Sequence, residues 1–293
     1  MKKIVIFGST GNIGAYFTDY CNNMIDKKQY EVIAVGRKHT DYYKKAGIEY
    51  INVDLCNASD FERLPTEDLY AVVNLAGLLP AYMKEYDPFK YVETNINGAL
   101  RILEYARKNN ADRALYTQTW AEQAGYWGKE DVLHPEYPRK LLFTGDHAFY
   151  AITKSMIVDT MEYYKQEYGL KNFVFRLPNV YLYHPEKYYY VDCVKKPIGY
   201  RYMIDKATAG DTIEMWGNPD AFKDILYIKD LCQMMYKALF AQVDGGTYNA
   251  GTGIRTTLRE QIEGIVDVFS PKEHRSNICL LYTSPSPRDG LLS

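Results

Sequence analysis

Lys3-Ile4-Val5-Ile6-Phe7-Gly8-Ser9-Thr10-Gly11-Asn12-Ile13-Gly14 is the stretch that decides the fold of this chain. Ile4 to Phe7 read as a β-strand, and three glycines at three-residue intervals follow where a helical pattern opens. Without side chains the backbone can turn tightly and approach a pyrophosphate closely, and a helix N-terminus directs N–H groups at its negative charge. Strand, glycine turn and helix in this order predict a dinucleotide site built on Gly8, Gly11 and Gly14, with Thr10, Asn12 and Ile13 completing the turn. Gly8 also cuts the apolar run far below a secretory core, and no apolar stretch approaches membrane-spanning length.

Working outward, β-rich runs recur near residues 3–7, 30–35, 49–53, 70–75 and 113–117, separated by helical patterns, which reads as parallel βαβ units. Asp87-Pro88 starts a helix whose Phe89, Val92, Ile96, Leu100 and Leu103 are expected to pack on the sheet. A second helix is expected from about Phe149 to Tyr168, with Ile152, Met156 and Met161 on one side and Gly169 as its stop. From Pro178 to Asp224 four prolines and a tyrosine cluster break the pattern, and alternation resumes at Ile225. The expectation is an α/β protein with a Rossmann-like doubly wound parallel sheet. Residues 1–177 and 225–250 form the dinucleotide-binding domain, and 178–224 with 251–278 form a smaller C-terminal substrate lobe.

The 293 residues carry a formal net charge of −2 and no long basic run, so a nucleic-acid partner is not expected. Five scattered cysteines have neither metal-ligand spacing nor the density of a disulfide scaffold, which predicts reduced thiols, a cytoplasmic location and no metal site. The stretch Cys279 to Asp289 resembles the conceptual translation of a sequencing adapter. Residues 279–293 are therefore set aside as a non-native tail, and the native C-terminal segment is expected to be missing.

Tyr150-Ala151-Ile152-Thr153-Lys154 places a phenol and an ammonium four residues apart, on one face of a helix. A cation beside a phenol lowers its pKa toward working pH, as general acid–base chemistry requires. Among 29 tyrosines the spacing recurs at Tyr86/Lys90, Tyr183/Lys187 and Tyr202/Lys206, but Pro88 and Pro185 interrupt two of these. After the second strand, Gly36-Arg37-Lys38 puts a base where NADP enzymes hold the 2′-phosphate, so NADP is favoured over NAD. Asp54, followed by Leu55, is the candidate contact to the adenine end.

These motifs together resemble the extended short-chain dehydrogenase/reductase family, which includes nucleotide-sugar epimerases and dehydratases. The likeness covers nearly all of residues 1–260. The family's turn matches Gly8, Gly11 and Gly14, its segment after the fourth strand matches Asn74-Leu75-Ala76-Gly77, and its helix asparagine matches Asn95. Arg176 to Tyr181, Lys223 to Asp230 and Tyr248 to Gly251 are similar to its later motifs. The resemblance implies a catalytic group of Tyr150, Lys154 and Thr119 (Thr117 second) and cofactor contacts at Ala76, Gly77 and Asn95. It also implies nucleotide contacts at Asn179 and Lys223, a nucleotide-sugar substrate and a homodimer. Trp120-Ala121 stand where the family's 4,6-dehydratases carry an Asp-Glu pair, with Glu122 out of register, so an epimerase is favoured over a dehydratase. Lys223 replaces an arginine and loses its bidentate geometry, and Leu182 replaces a glycine. A carbonyl reductase, a non-catalytic dinucleotide sensor and an inactive fragment are the rival expectations.

Overall fold

The structure, a computed structural model, describes residues 1–129, 132–145 and 147–281. Lys2–Phe7 (β1) leads through the glycine turn into Asn12–Met24 (α1), then Tyr30–Gly36 (β2), the short helix Tyr42–Lys45 (α2), Glu49–Asn52 (β3) and Leu69–Asn74 (β4). Pro88–Tyr91 (α3), a π-helical stretch Val92–Gly98 and Ala99–Lys108 (α4) precede Arg113–Thr119 (β5), and Ala148–Tyr168 (α5) precedes Lys171–Leu177 (β6). With the strand Gly245–Asn249 these strands form one seven-stranded sheet. Its order, from that strand through β6, β5, β4, β1 and β2 to β3, is parallel at every pairing. The chain leaves β1 toward one edge and returns at β4 to run toward the other. The C-terminal ends of β1 and β4 thus bound the crevice in which such sheets hold ligands.

Both faces of this sheet are covered, which is why Ile4 to Phe7 of β1 are apolar in unbroken succession and not alternating. Ile4 and Ile6 pack with Phe17 and Cys21 of α1 and with Leu231 and Met235 of the helix Ile228–Phe240. Val5 and Phe7 pack on the other face with Ile102 and Leu103 of α4 and Ile157 of α5.

The chain divides into two compact bodies, Met1–Leu182 with Leu226–Ala250, and Tyr183–Ile225 with the described residues from Gly251. The strand Asn179–Tyr181 stays with the first body, five residues past the boundary read from the sequence, because Val180 and Leu182 pack on its core. In the second body Ala207, Ile213, Met215, Ile262 and Val266 form a small core between the helices Gly199–Ala209 and Leu258–Phe269. The latter helix carries a reciprocal Thr257/Glu260 cap.

Two expectations need correction. The stripe assigned to the first sheet-covering helix is rotated: Phe89 is 81% exposed, and Tyr91, Asn95, Gly98, Ile102 and Leu103 face inward. The π-turn inserts residues into the 3.6-residue period and brings Asn95 inside. In α5, Met156 is exposed while Thr153, Lys154 and Ser155 are buried, so a polar segment occupies the inner face. The described structure runs on to Leu281. Cys279, Leu280 and Leu281 pair in parallel with Glu214, Met215 and Trp216, and Ile278 and Leu280 pack on the second core. Residues 282–293 of the expected tail lie outside the described residues.

Candidate active site

The glycine turn is built by close backbone contact. Gly8 has φ +82°, and a Cβ there would lie 2.6 Å from the Ala76 nitrogen at the end of β4. A Cβ on Gly14 would lie 2.0 Å from the Gly8 carbonyl oxygen, so α1 can begin this close to β1 only without a side chain. Buried Ser9 anchors the turn to β2, donating to the Val35 carbonyl from both its N–H (3.0 Å) and its hydroxyl (2.9 Å). Gly11, the N-cap of α1, brings no side-chain cap, so the first N–H groups of the helix are left to a ligand. This cradle fits the diphosphate of a dinucleotide, and Thr10, Asn12 and Ile13 lie in it.

At the end of β2, Arg37 is exposed, and its carbonyl accepts from the Asn52 amide at 2.8 Å. Tyr50 donates to the Gly36 carbonyl at 2.8 Å and also bonds the Lys38 carbonyl. Half-buried Asp54 accepts from the Cys56 N–H at 3.0 Å, its own N–H donates to Asp60 at 2.8 Å, and Leu55 is buried beside it.

After β4, Asn95 holds Leu78 from both sides: its Oδ1 accepts from the Leu78 N–H at 2.7 Å and its Nδ2 donates to the Leu78 carbonyl at 3.0 Å. The same amide reaches the Thr153 hydroxyl at 3.3 Å, which donates to the Tyr150 carbonyl at 2.8 Å. The π-turn therefore ties the loop carrying Ala76 and Gly77 to the first turns of α5. A Cβ on Gly77 would sit 3.3 Å from Asn95 Oδ1 and 3.9 Å from Lys154 Nζ.

Tyr150 and Lys154 are both buried. The rival pairs are not: Tyr86 and Tyr183 are exposed, Lys187 pairs with Asp205, and Lys206 lies over the ring of exposed Tyr202. Lys154 Nζ stands 4.0 Å over the Tyr116 ring, and among the described residues no carboxylate comes within ion-pair distance of it. Burial pulls its pKa from 10.5 down to about 7. Tyr150 departs from expectation. Burial, then neighbouring Tyr91 and Tyr82, push its pKa up, and its phenol packs with Met83 and Tyr91. Helical spacing puts both residues on one face, and the long lysine stem carries its charge over Tyr116 and close to Gly77.

Thr119 ends β5 and caps the following 3₁₀ turn Trp120–Tyr126, its hydroxyl oxygen accepting from the Ala121 N–H at 3.2 Å. Its O–H hydrogen is suited to donate to a substrate oxygen. Thr117 lies two residues back on the same face of the strand. Asn179 is exposed in the first body. Lys223 is half-buried in the second body, in the strand Phe222–Lys223, where burial lowers its pKa.

The buried charge of Glu122 escaped the sequence reading as a structural element. Its two oxygens accept from Arg139 at 2.9 Å and Arg176 at 2.8 Å; Arg139 pairs with Asp159 of α5, and Arg176 donates to Asn249 at 2.7 Å. The Lys140 N–H donates to the Glu122 carbonyl and its carbonyl accepts from Gly125. The turn after Thr119 is thereby clamped to α5. Glu122→Ala would leave two arginines without their buried partner, and a loss of about 3–5 kcal/mol is expected, read as a fall in the urea midpoint at unchanged slope. A shift below about 1 kcal/mol would show that the clamp carries little.

Among the described residues no group of three or more His, Cys, Asp or Glu side chains could hold a metal ion, and no helix is long and apolar enough to cross a membrane.

A seven-stranded parallel sheet with a glycine-rich turn at its switch point and a buried Tyr/Lys pair beside it defines a Rossmann-type α/β protein. The chain belongs to the NAD dependent epimerase/dehydratase family, whose model matches residues 4–251. It is 26% identical to dTDP-glucose 4,6-dehydratase 1 of Escherichia coli (strain K12), an alignment covering 97% of this chain and 82% of that one. Among solved structures it is similar to UDP-N-acetylglucosamine 4-epimerase from Bacillus cereus, with TM-score 0.75 and 20% identity over 100% of this chain and 90% of that one. UDP-glucose 4-epimerase of Thermus thermophilus, solved in complex with NAD, gives TM-score 0.72 and 20% identity over 97% and 87%.

Proposed function

We propose that this protein is a nicotinamide-dependent epimerase of nucleotide-linked sugars, with Tyr150 as the proton-transfer group, Lys154 as the cation that serves it and Thr119 as the hydroxyl that orients the reacting oxygen. The observation that carries the reading is the Tyr150–Lys154 pair, buried together on the helix that Asn95 and Thr153 tie to the loop after β4. The bound nicotinamide supplies a hydride acceptor and donor at the sugar carbon. Tyr150 takes the hydroxyl proton as that carbon is oxidised and returns it when the sugar is reduced on its other face. Ionising a buried phenol requires a cation brought against it, and Lys154, one helical turn on, is within reach. Thr119, accepting from Ala121, donates its own hydrogen to the sugar oxygen and so orders it against Tyr150.

Dehydration draws less support, despite the likeness to a dehydratase. Trp120 and Ala121 supply no acid, and Glu122 is held between two arginines. The cofactor of this reading is NAD. The NADP preference expected from Arg37-Lys38 finds no support among the relatives, and the Thermus epimerase carries NAD. Arg37→Ala is expected to weaken NADP binding by about tenfold, the worth of one charge-assisted hydrogen bond, with NAD affinity nearly unchanged. Equal losses for both dinucleotides in a fluorescence titration would dismiss a role for Arg37 at the 2′-phosphate.

The deciding assay incubates the purified protein with NAD and, in turn, UDP-glucose, UDP-N-acetylglucosamine and dTDP-glucose, and follows the sugar ring by proton NMR. A C4 epimer without net NADH supports the proposal. A 4-keto-6-deoxy sugar would replace it with dehydration and accumulating NADH with net oxidation, while failure to bind any dinucleotide would remove the cofactor reading.

A further inference from the structure

We propose that Gln118, a buried residue between Thr117 and Thr119 of β5, is a positioning residue whose side-chain amide sets Thr119 against α5. The inference deepens the epimerase reading above and rests on it. Side chains alternate along β5: Thr117 and Thr119 share one face, and Ala114, Tyr116 and Gln118 share the other. Ala114 and Tyr116 lie in one apolar cluster with Ile157 and Met161 of α5.

Gln118 is 1% exposed where that apolar face continues. An amide there costs free energy unless its polar ends are bonded. Its Oε1 accepts from the Thr119 N–H at 2.8 Å, and its Nε2 donates to the hydroxyl of buried Ser155 at 3.1 Å. Ser155 is the residue after Lys154. Two residues back along the same face, Tyr116 donates to the Lys154 carbonyl at 3.4 Å and its ring lies 4.0 Å from Lys154 Nζ. The helix that carries Tyr150 and Lys154 is thus held to β5 at Lys154 by Tyr116 and at Ser155 by Gln118, and Gln118 also bonds the residue that carries the reacting hydroxyl.

Thr119 is thereby fixed at two points, its N–H by Gln118 and its hydroxyl oxygen by the Ala121 N–H. A hydroxyl that orders the sugar oxygen against Tyr150 acts only when it stands at the right distance from α5, and a misplacement of about 1 Å costs about a hundredfold in rate. An apolar side chain of similar size would fill the space and leave that distance to packing alone.

Gln118→Met keeps the length of the side chain and removes both hydrogen bonds. With whichever of UDP-glucose, UDP-N-acetylglucosamine and dTDP-glucose the wild type turns over, kcat of the full chain should fall about tenfold to a hundredfold. KM and NAD affinity should stay within about twofold, because Gln118 works through Thr119 and meets neither ligand. Thr119→Ala removes the hydroxyl that Gln118 serves, so the double variant should turn over no more slowly than Thr119→Ala alone. A merely structural role would lower kcat by the same factor in both backgrounds. That result overturns the proposal, as does wild-type kcat for Gln118→Met. Should Gln118→Met fail to fold, Ser155→Ala carries the same test: it cuts the tie to α5 alone, a smaller selective fall in kcat is expected, and wild-type kcat overturns the proposal. Undiminished turnover by Thr119→Ala, or a wild type that turns over none of the three sugars, is a failure of the epimerase reading itself, distinct from a normal Gln118→Met in an enzyme that depends on Thr119.

Discussion

Tyr150→Phe is expected to lower turnover by about two to four orders of magnitude, the usual contribution of a positioned proton-transfer group, while dinucleotide affinity stays within about twofold. The ring remains, so its packing against Met83 and Tyr91 is kept and only the ionisable hydroxyl is lost. Burial raises the Tyr150 pKa, and a phenol that ionises with difficulty makes proton transfer to it depend on the charge brought beside it. The check is a pair of measurements on one preparation: kcat with a nucleotide sugar at saturating NAD, and NAD affinity by titration. A fall in kcat with unchanged affinity assigns Tyr150 to the chemistry. Turnover equal to wild type would remove the tyrosine from the mechanism.

Lys154→Met is expected to abolish activity and yet stabilise the ligand-free protein by about 5 kcal/mol near pH 6. The sign follows from which form burial penalises. Lys154 falls from 10.5 unfolded to about 7 folded. Below about pH 7 both states carry the proton, and the folded state bears the whole cost of a buried ammonium. Between pH 7 and 10.5 the unfolded chain holds more protons, so the wild type gains stability as pH rises. Above 10.5 both states are neutral and the cost has gone. At about 1.4 kcal/mol for each tenfold change in acidity, the cost is about 5 kcal/mol. Methionine keeps the apolar stem over Tyr116 without the charge. Urea unfolding at pH 6, 8 and 10 should therefore show the variant's advantage shrinking steadily. A difference that is flat across this range would mean that the ammonium is not held in a depressed state. The destabilising charge and the candidate catalytic charge are the same group, a common cost of placing a functional cation in a dry site.

The local patterns were legible for local reasons. Asp87 caps α3 through the Phe89 and Lys90 N–H groups, with Pro88 behind it, and Gly169 ends α5 in the left-handed conformation, both as their chemistry predicts. The inner face of α5 was not legible, because hydrophobic periodicity counts Thr153, Lys154 and Ser155 as surface, and a site inverts that rule. The π-turn at Val92–Gly98 left no local mark either: what favours it is Asn95 bonding Leu78 and Thr153, partners 17 and 58 residues away.

The sequence by itself determined the parallel α/β sheet, the glycine turn at its head and the order of the motifs along it. Each of these rests on contacts within a few residues: a strand's apolar run, a glycine's missing Cβ, a helix cap. Tertiary structure alone decided which Tyr/Lys pair is buried, where the Lys154 charge points, that Glu122 is clamped between Arg139 and Arg176, and that Gln118 reaches Ser155. Desolvation and ion pairing depend on what the fold brings within a few ångströms, and those neighbours lie tens of residues apart in the chain.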